Sequence, residues 1–311
     1  MVNDNVMQKV VECVPNFSEG RRPEVVEKIV EAIKEAAGIC VLDYSSDASH
    51  NRTVVTFVGS PEACEEAAFR AIARARDLID MEKHEGEHPR LGATDVVPFI
   101  PISGATMEEC VEIARNVGKR VGEELEIPVY LYEEAATRPE RRNLADVRRG
   151  EYEGLKGSIG TPERAPDFGP ARVHPTAGAT IIGARMPLIA FNVNLGTSDI
   201  KIARKIARAV RASSGGLAYV KALGVMLEEK QMAQVSMNLV NYVKTPIPRV
   251  LEMVRREAAR YGGPGVSFTH LTLPTSGLGE SSGGAAHLKK KKQSRIGTGG
   301  EASRQKRQSR V

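Results

Sequence analysis

From His84 to Arg90 the chain reads His-Glu-Gly-Glu-His-Pro-Arg, with Asp95 shortly after. Two chemistries suit imidazoles, carboxylates and a guanidinium packed so closely. The spacing H-E-x-x-H puts both rings on one face of a helix around a zinc ion, with the glutamate as base. That arrangement needs unbroken helix, whereas Gly86 lies between the histidines and Pro89 pushes His88 away from the α region. No later His or Glu stands in a context that makes a third ligand. The second chemistry is proton transfer, because an imidazole with a reference pKa near ~6.5, flanked by Glu87 and Arg90, can take up and return a proton. His88 is therefore the catalytic candidate and no metal is expected. A zinc hydrolase built on His84 and His88 is the competing enzyme reading.

The loop must be held by the elements around it. Val10 to Phe17 reads as a strand ending at Pro15-Asn16, and Pro23 opens a helix in which Val25, Val26, Ile29, Val30 and Ile33 recur at helical spacing. Ile39 to Tyr44 reads as a short buried strand, Ser45 to Asn51 as a polar turn, and Arg52 to Val58 as a strand rich in Val and Thr. Ser60-Pro61 caps a helix that runs up to the His84 loop. Beyond the loop, Pro98 and Pro101 interrupt the strand Asp95 to Ile102, which assigns it to a sheet edge or a bend. Thr106 and Glu109 form a capping box for a helix to about Leu125, and Pro128 to Tyr132 is the next strand. The order βαββαβαβ implies one mixed sheet with helices packed over it.

Ala135 to Glu163, dense in Arg and Glu with one helix around Leu144 to Leu155, reads as a connector, and Ala165 to Gly178 as an irregular Pro- and Gly-rich loop. A second unit follows: strand Leu188 to Leu195, helix Asp199 to Ser213, a hairpin of Tyr219 to Leu227 with Ala233 to Asn241, and helix Pro246 to Tyr261. This βαββα order resembles a split β-α-β unit that wants one more strand. The fold class is α/β of the α+β kind, with two subdomains, each a mixed β-sheet covered by helices. Residues 1–178 and 179–263 are the expected subdomains, and 264–311 a basic low-complexity tail.

The chain has 311 residues, 41% hydrophobic and 27% charged, as expected of an ordinary globular protein too long for one comfortable core. Aromatics are scarce and Trp is absent, which argues against a stacking platform for single-stranded nucleic acid. The net charge of +5 is a property of the tail. Residues 264–311 carry nine Lys or Arg against two Glu, a net of +7, so residues 1–263 carry −2. No nucleic-acid partner is expected for such a body. The tail is expected to be disordered beyond about Leu273, with Val266 to Leu273 as the candidate for the missing strand. No apolar run approaches roughly 18 residues and the start is polar, so a cytoplasmic protein without membrane partners is expected. Cys13, Cys40, Cys64 and Cys110 lack C-x-x-C spacing and read as reduced thiols.

Val11-Glu12-Cys13-Val14-Pro15-Asn16-Phe17-Ser18-Glu19-Gly20, Asn51-Arg52-Thr53-Val54, Gly86-Glu87-His88-Pro89-Arg90-Leu91-Gly92-Ala93 and Ala165-Pro166-Asp167-Phe168-Gly169-Pro170 resemble the glutamate formimidoyltransferases. These are the folate-dependent formiminotransferases of histidine breakdown, found alone or fused to a cyclodeaminase. The likeness runs from about residue 8 to about residue 263.

The resemblance implies transfer of a formimino group from N-formimino-L-glutamate to position five of tetrahydrofolate, a co-substrate, with release of glutamate. By its Glu-His-Pro-Arg context, His88 matches the family's catalytic histidine. The family's functional aspartate falls on Ser45 here, which turns attention to Asp43 and Asp47. Gly169, Pro170, Ala171, Arg172, Val173, His174, Pro175, Thr176, Ala177 and Gly178 match the folate-binding segment. Both substrates carry glutamate carboxylates, for which Arg52, Arg90 and Arg185 are candidate forks. Asn16 and Ser18 are candidates to hydrogen-bond a pterin or a carboxylate. The folate is expected between the subdomains. A non-catalytic folate-binding module is the alternative from another class. Homodimer formation and a separate cyclodeaminase partner are left open.

Overall fold

A computed structural model describes residues 9–227 and 231–261. The tail and its proposed strand lie outside the described residues. Seven strands form the first sheet: β1 (Val10–Cys13), β2 (Asn16–Phe17), β3 (Cys40–Asp47), β4 (Arg52–Gly59), β5 (Thr94–Ser103), β6 (Val129–Glu133) and β7 (Thr180–Ala184). β1 and β2 are two pieces of one course, and both pair antiparallel with β4 on one side and β5 on the other. β3 adds to β4, while β7 joins β5 and β6 in parallel, so the sheet is mixed as expected.

Helices α1 (Pro23–Lys34), α2 (Pro61–Leu78) and α3 (Met107–Glu124) cover one face. Each starts where local chemistry allows. Pro23 occupies the first turn of α1, the Ser60 hydroxyl accepts the Ala63 N–H, and Thr106 with Glu109 completes the capping box. Their inward stripes include Ile29 and Ile33, Ala67 and Ile72, Val117 and Val121, all essentially fully buried. Burying each of the larger aliphatic side chains contributes roughly 1.5–3 kcal/mol, so this face anchors the sheet.

The structure departs from the sequence reading in four places. β5 is central rather than at an edge, because Pro98 lies opposite the break between β1 and β2, where Pro15 also lacks an N–H; Val14 donates to the Pro98 carbonyl at 3.3 Å. β3 is a largely exposed edge strand, with Leu42 57% and Tyr44 45% exposed, so the expected buried run is not buried. β7 pairs within the first sheet, so the first subdomain extends past Gly178, and the second sheet begins only at Ile189. The connector is not passive: α4 (Leu144–Val147) and α5 (Glu151–Ser158), separated at Gly150 where φ is +84°, pack Val147 and Leu155 onto Tyr130, Tyr132 and Ile181.

The second sheet holds β8 (Ile189–Asn194), β9 (Val220–Leu227) and β10 (Met232–Leu239) in the order β8-β10-β9, with α6 (Ile200–Val210) and α7 (Ile247–Ala259) packed on it. β10 is antiparallel to both neighbours and lies between the two strands that α6 connects. That is the split β-α-β arrangement read from the sequence.

Candidate functional site

The loop that carries His88 leaves α2 at Leu78 and enters β5 at Thr94 without forming a helix between His84 and His88. It is pinned at both ends. Met81 N–H donates to the Thr176 carbonyl and Ala93 N–H to that of Ala177, each at 2.8 Å, while the Ser18 hydroxyl donates to Gly92 O at 2.8 Å. In the middle, Asn51 acts as a bolt. Its side chain accepts the Gly20 N–H and donates to Glu85 O, both at 2.9 Å, and its own carbonyl faces His84 Nε2 at 3.0 Å. Asn51 has φ of +48°, a left-handed turn conformation that asparagine tolerates well. Gly86 passes so close that a Cβ there would stand 2.4 Å from His50 O.

His50, Asn51, Arg52, His84, His88, Arg90 and Asp95 thereby converge, with Phe17 and Ser18, on one tight cavity of ≈10 Å³, room for about one water. Burial first, then the nearby Arg52 and Arg148 guanidiniums, push the half-buried His88 ring down to about 4, with Asp95 opposing. The ring is neutral at physiological pH and able to accept a proton. Arg52 is 9% exposed, and burial brings it down to about 10, which keeps it cationic.

Arg90 and His84 are bonded within the protein. Arg90 donates through Nη1 and Nη2 to Glu153 at 2.8 Å each, and through Nε to His84 Nδ1 at 3.3 Å. His84 is thus an acceptor at Nδ1 and a donor at Nε2, with neither nitrogen left for a metal; neither the helix nor the ligand geometry of a zinc H-E-x-x-H site is present. Asp95, 2% exposed, accepts the Leu91 N–H at 3.0 Å and is paired with Arg148.

The remaining candidates lie around this centre. Asn16 is buried and donates to Val14 O at 2.8 Å, while its Oδ1 has no hydrogen-bond partner among the described residues. Asp43 is exposed on β3 opposite Thr56. Asp47 ends the same strand and contacts His50. Arg185 donates its backbone N–H to Phe99 O and a side-chain N–H to Met186 O, and it does not line the His88 cavity.

The segment from Gly169 to Gly178 runs from one left-handed glycine to another, with φ of +80° and +73°. Its last turn is closed by His174 Nδ1, which accepts the Ala177 N–H at 3.0 Å, and Gly178 bridges to Gly92. Ala171, Arg172 and Pro175 are exposed, Pro170 and Val173 half-buried. His174 and Thr176 line a separate open depression of ≈590 Å³ together with Arg76, Asp80, Glu124 and Glu126. The segment touches the His88 loop by backbone, and Ala177 and Val173 share the core with Met81 and Ala93 of that loop. His50 and Arg148 escaped the sequence reading. Asp-x-x-His before Asn-Arg is a visible turn signal for the first, whereas Arg148 reaches Asp95 only through the fold.

A family model described as the formiminotransferase domain, N-terminal subdomain, matches residues 10–185, and one described as the formiminotransferase domain matches residues 190–266. This chain belongs to the formiminotransferase family. The two formiminotransferase matches meet between β7 and β8, where the sheets also divide. The glutamate formimidoyltransferase of Streptococcus pyogenes serotype M1 is 55% identical over 256 residues, covering 82% of this chain and 86% of that protein. That of Thermoplasma acidophilum is 55% identical over 255 residues, 81% and 84% of the two chains. The formimidoyltransferase-cyclodeaminase of Mus musculus is 49% identical over 264 residues, 83% of this chain but 49% of that longer formiminotransferase.

Proposed function

We propose that this formiminotransferase moves the formimino group of N-formimino-L-glutamate to N5 of tetrahydrofolate, releasing L-glutamate, as a step of histidine degradation in the cytoplasm. The observation that carries the reading is a neutral, half-buried His88 beside the cationic Arg52, in a chain 55% identical over most of its length to glutamate formimidoyltransferases. The reaction needs one proton removed from the attacking nitrogen and one given to the departing amine. His88 is poised for the removal, since burial and two guanidiniums keep its lone pair free. Arg52 offers a fixed, desolvated charge for a glutamate carboxylate. Asn16 Oδ1 is a buried acceptor suited to a pterin N–H, and the Gly169–Gly178 segment offers exposed backbone for the folate.

Arg90 and Asp95 belong to the scaffold in this reading, because their partners are already within the protein. A cyclodeaminase supplied by a separate chain is the partner that the fused relatives suggest, and a homodimer, the commonest form of soluble oligomers, is the assembly proposed. The direct test is spectrophotometric: tetrahydrofolate and formiminoglutamate are mixed with the protein and the folate product is followed. Formation of 5-formiminotetrahydrofolate with stoichiometric glutamate is expected. Absence of turnover at saturating concentrations of both substrates overturns the reading.

A further inference from the structure

Beside His88 and the internally bonded His84, the cavity holds a third imidazole with no part in the steps above. The His50 ring centroid lies 6.2 Å from that of His88, with the planes inclined by 68°. Both rings line the same cavity. Asp47 steadies His50 from behind: one carboxylate oxygen accepts the His50 backbone N–H at 2.8 Å and the other lies 3.0 Å from ring Nδ1. The backbone N–H of His50 leads in holding the Asp47 carboxyl below its usual range, so Asp47 is ionised. The Asp47 carboxylate stands beside Nδ1 as a charge partner of a ring that lines the cavity. The next residue is Asn51, whose three hydrogen-bonding contacts fix the turn.

The surroundings of the two rings differ in charge. His50 faces Asp47 from its own turn and His88 from the loop; His88 meets Arg52 from β4 and Arg148 from the connector, with Asp95 behind them. Unlike surroundings for two titratable groups in one site divide the roles of acid and base. We propose that His50, oriented by Asp47, is the second proton carrier of the transfer, giving the leaving glutamate nitrogen its proton while His88 takes the one released from the pterin nitrogen.

This deepens the formimino-transfer reading and rests on it. The new bond joins the pterin nitrogen to the formimino carbon, and the pterin N–H proton goes to His88. The bond from that carbon to the glutamate nitrogen then breaks, its electron pair stays on nitrogen, and His50 supplies the proton. One proton passing from His88 to His50 through water resets the pair, so none is gained or lost overall.

The test measures kcat and KM for formiminoglutamate from pH 5 to 10 on the intact chain carrying His50→Gln or Asp47→Asn. His50→Gln is expected to lose 10²-fold or more in kcat, within the range of acid–base catalysis, with KM and tetrahydrofolate affinity within about threefold and the alkaline fall of the wild-type profile gone. Asp47→Asn is expected to keep that alkaline fall but move it to lower pH, because the anion behind the ring is lost. Wild-type kcat in both variants, or a loss in kcat with the profile unchanged in shape, overturns the proposal. Should His50→Gln not fold, as judged by circular dichroism, Asp47→Asn alone decides: a displaced alkaline fall supports it and an undisplaced one overturns it. A wild-type chain without turnover sinks the parent reading instead, which separates the two failures.

Discussion

Arg90 forks onto Glu153, with two hydrogen bonds of 2.8 Å that join the end of the His88 loop to α5. The arginine is 9% exposed and the glutamate 64%, so the pair is a lid whose inner half is buried. By the same route Tyr152 N–H donates to the Arg90 carbonyl at 2.9 Å. The connector thus fixes the loop by both side chain and backbone, and the guanidinium donates to Glu151, Glu153 and His84.

Replacing Arg90 with Lys should therefore cost stability rather than affinity. A lysine cannot span both carboxylate oxygens and still reach His84, so a loss of about 1–2 kcal/mol is expected in urea titration, with KM for formiminoglutamate within about threefold. Glu153→Gln, at an exposed position, should cost less than about 1 kcal/mol. A large rise in KM at unchanged urea midpoint for Arg90→Lys would return Arg90 to the substrate.

His88 makes both activity and stability depend on pH. The folded ring is held down to about 4 by burial, Arg52 and Arg148, against ~6.5 in an unfolded chain. Between those values the unfolded chain binds more protons, so this contribution to stability is complete above ~6.5 and is lost as pH falls through about 4. The urea midpoint of wild type should fall more steeply than that of His88→Asn between pH 7 and 4.5. The acid limb of kcat/KM should lie below 6.5 and move upward in Arg52→Gln, which removes a neighbouring cation. An acid limb at 6.5 or above that stays put in that variant would contradict the electrostatics. His88→Ala should cost 10²–10⁴-fold in kcat with tetrahydrofolate affinity retained.

Much of this arrangement was legible because local chemistry and tertiary fold agree. Ser60, Thr106 with Glu109, and Gly169 with Gly178 do in the fold what their types imply, and His88 announces itself through Gly86 and Pro89. The failures come where long-range pairing decides. Two prolines in β5 suggested an edge, yet Pro98 meets a gap in β1–β2 that no window around it reveals. The apolar run Ile39 to Tyr44 could not tell that β3 would find a partner on one side only. Arg148 and Glu153 lie in the least periodic stretch, and their partners Asp95 and Arg90 are more than fifty residues away.

Asp95 and Arg148 form a pair whose two side chains are 4% and 13% exposed. Breaking it from one side leaves a buried charge uncompensated, so Asp95→Asn should lose about 3–5 kcal/mol in urea titration. The double variant Asp95→Asn with Arg148→Met should recover at least half of that loss, since no cation is stranded. If the double variant is no more stable than Asp95→Asn, the pair is not what holds β5 to the connector.

Gly92 and Gly178 bridge where the His88 loop meets the Gly169–Gly178 segment, and the contact leaves no space for a side chain. A Cβ on Gly92 would stand 2.2 Å from Ala179 O and 2.4 Å from Ala177 O, and one on Gly178 would stand 2.5 Å from Leu91 O at a φ of +73°. All of the nearest obstacles for Gly92 are backbone, which cannot swing aside as a flexible side chain would. Gly178→Ala adds a left-handed penalty of about 1–2 kcal/mol to the clash, whereas Gly92→Ala carries the clash alone. Both variants should be less stable than wild type in urea. Because the bridge carries Ala177 and Thr176 against the loop, both should also weaken tetrahydrofolate binding and lower kcat together. Isothermal titration with tetrahydrofolate checks the first effect. An alanine variant with normal folate affinity and depressed kcat would mean that the segment positions His88 without holding the folate.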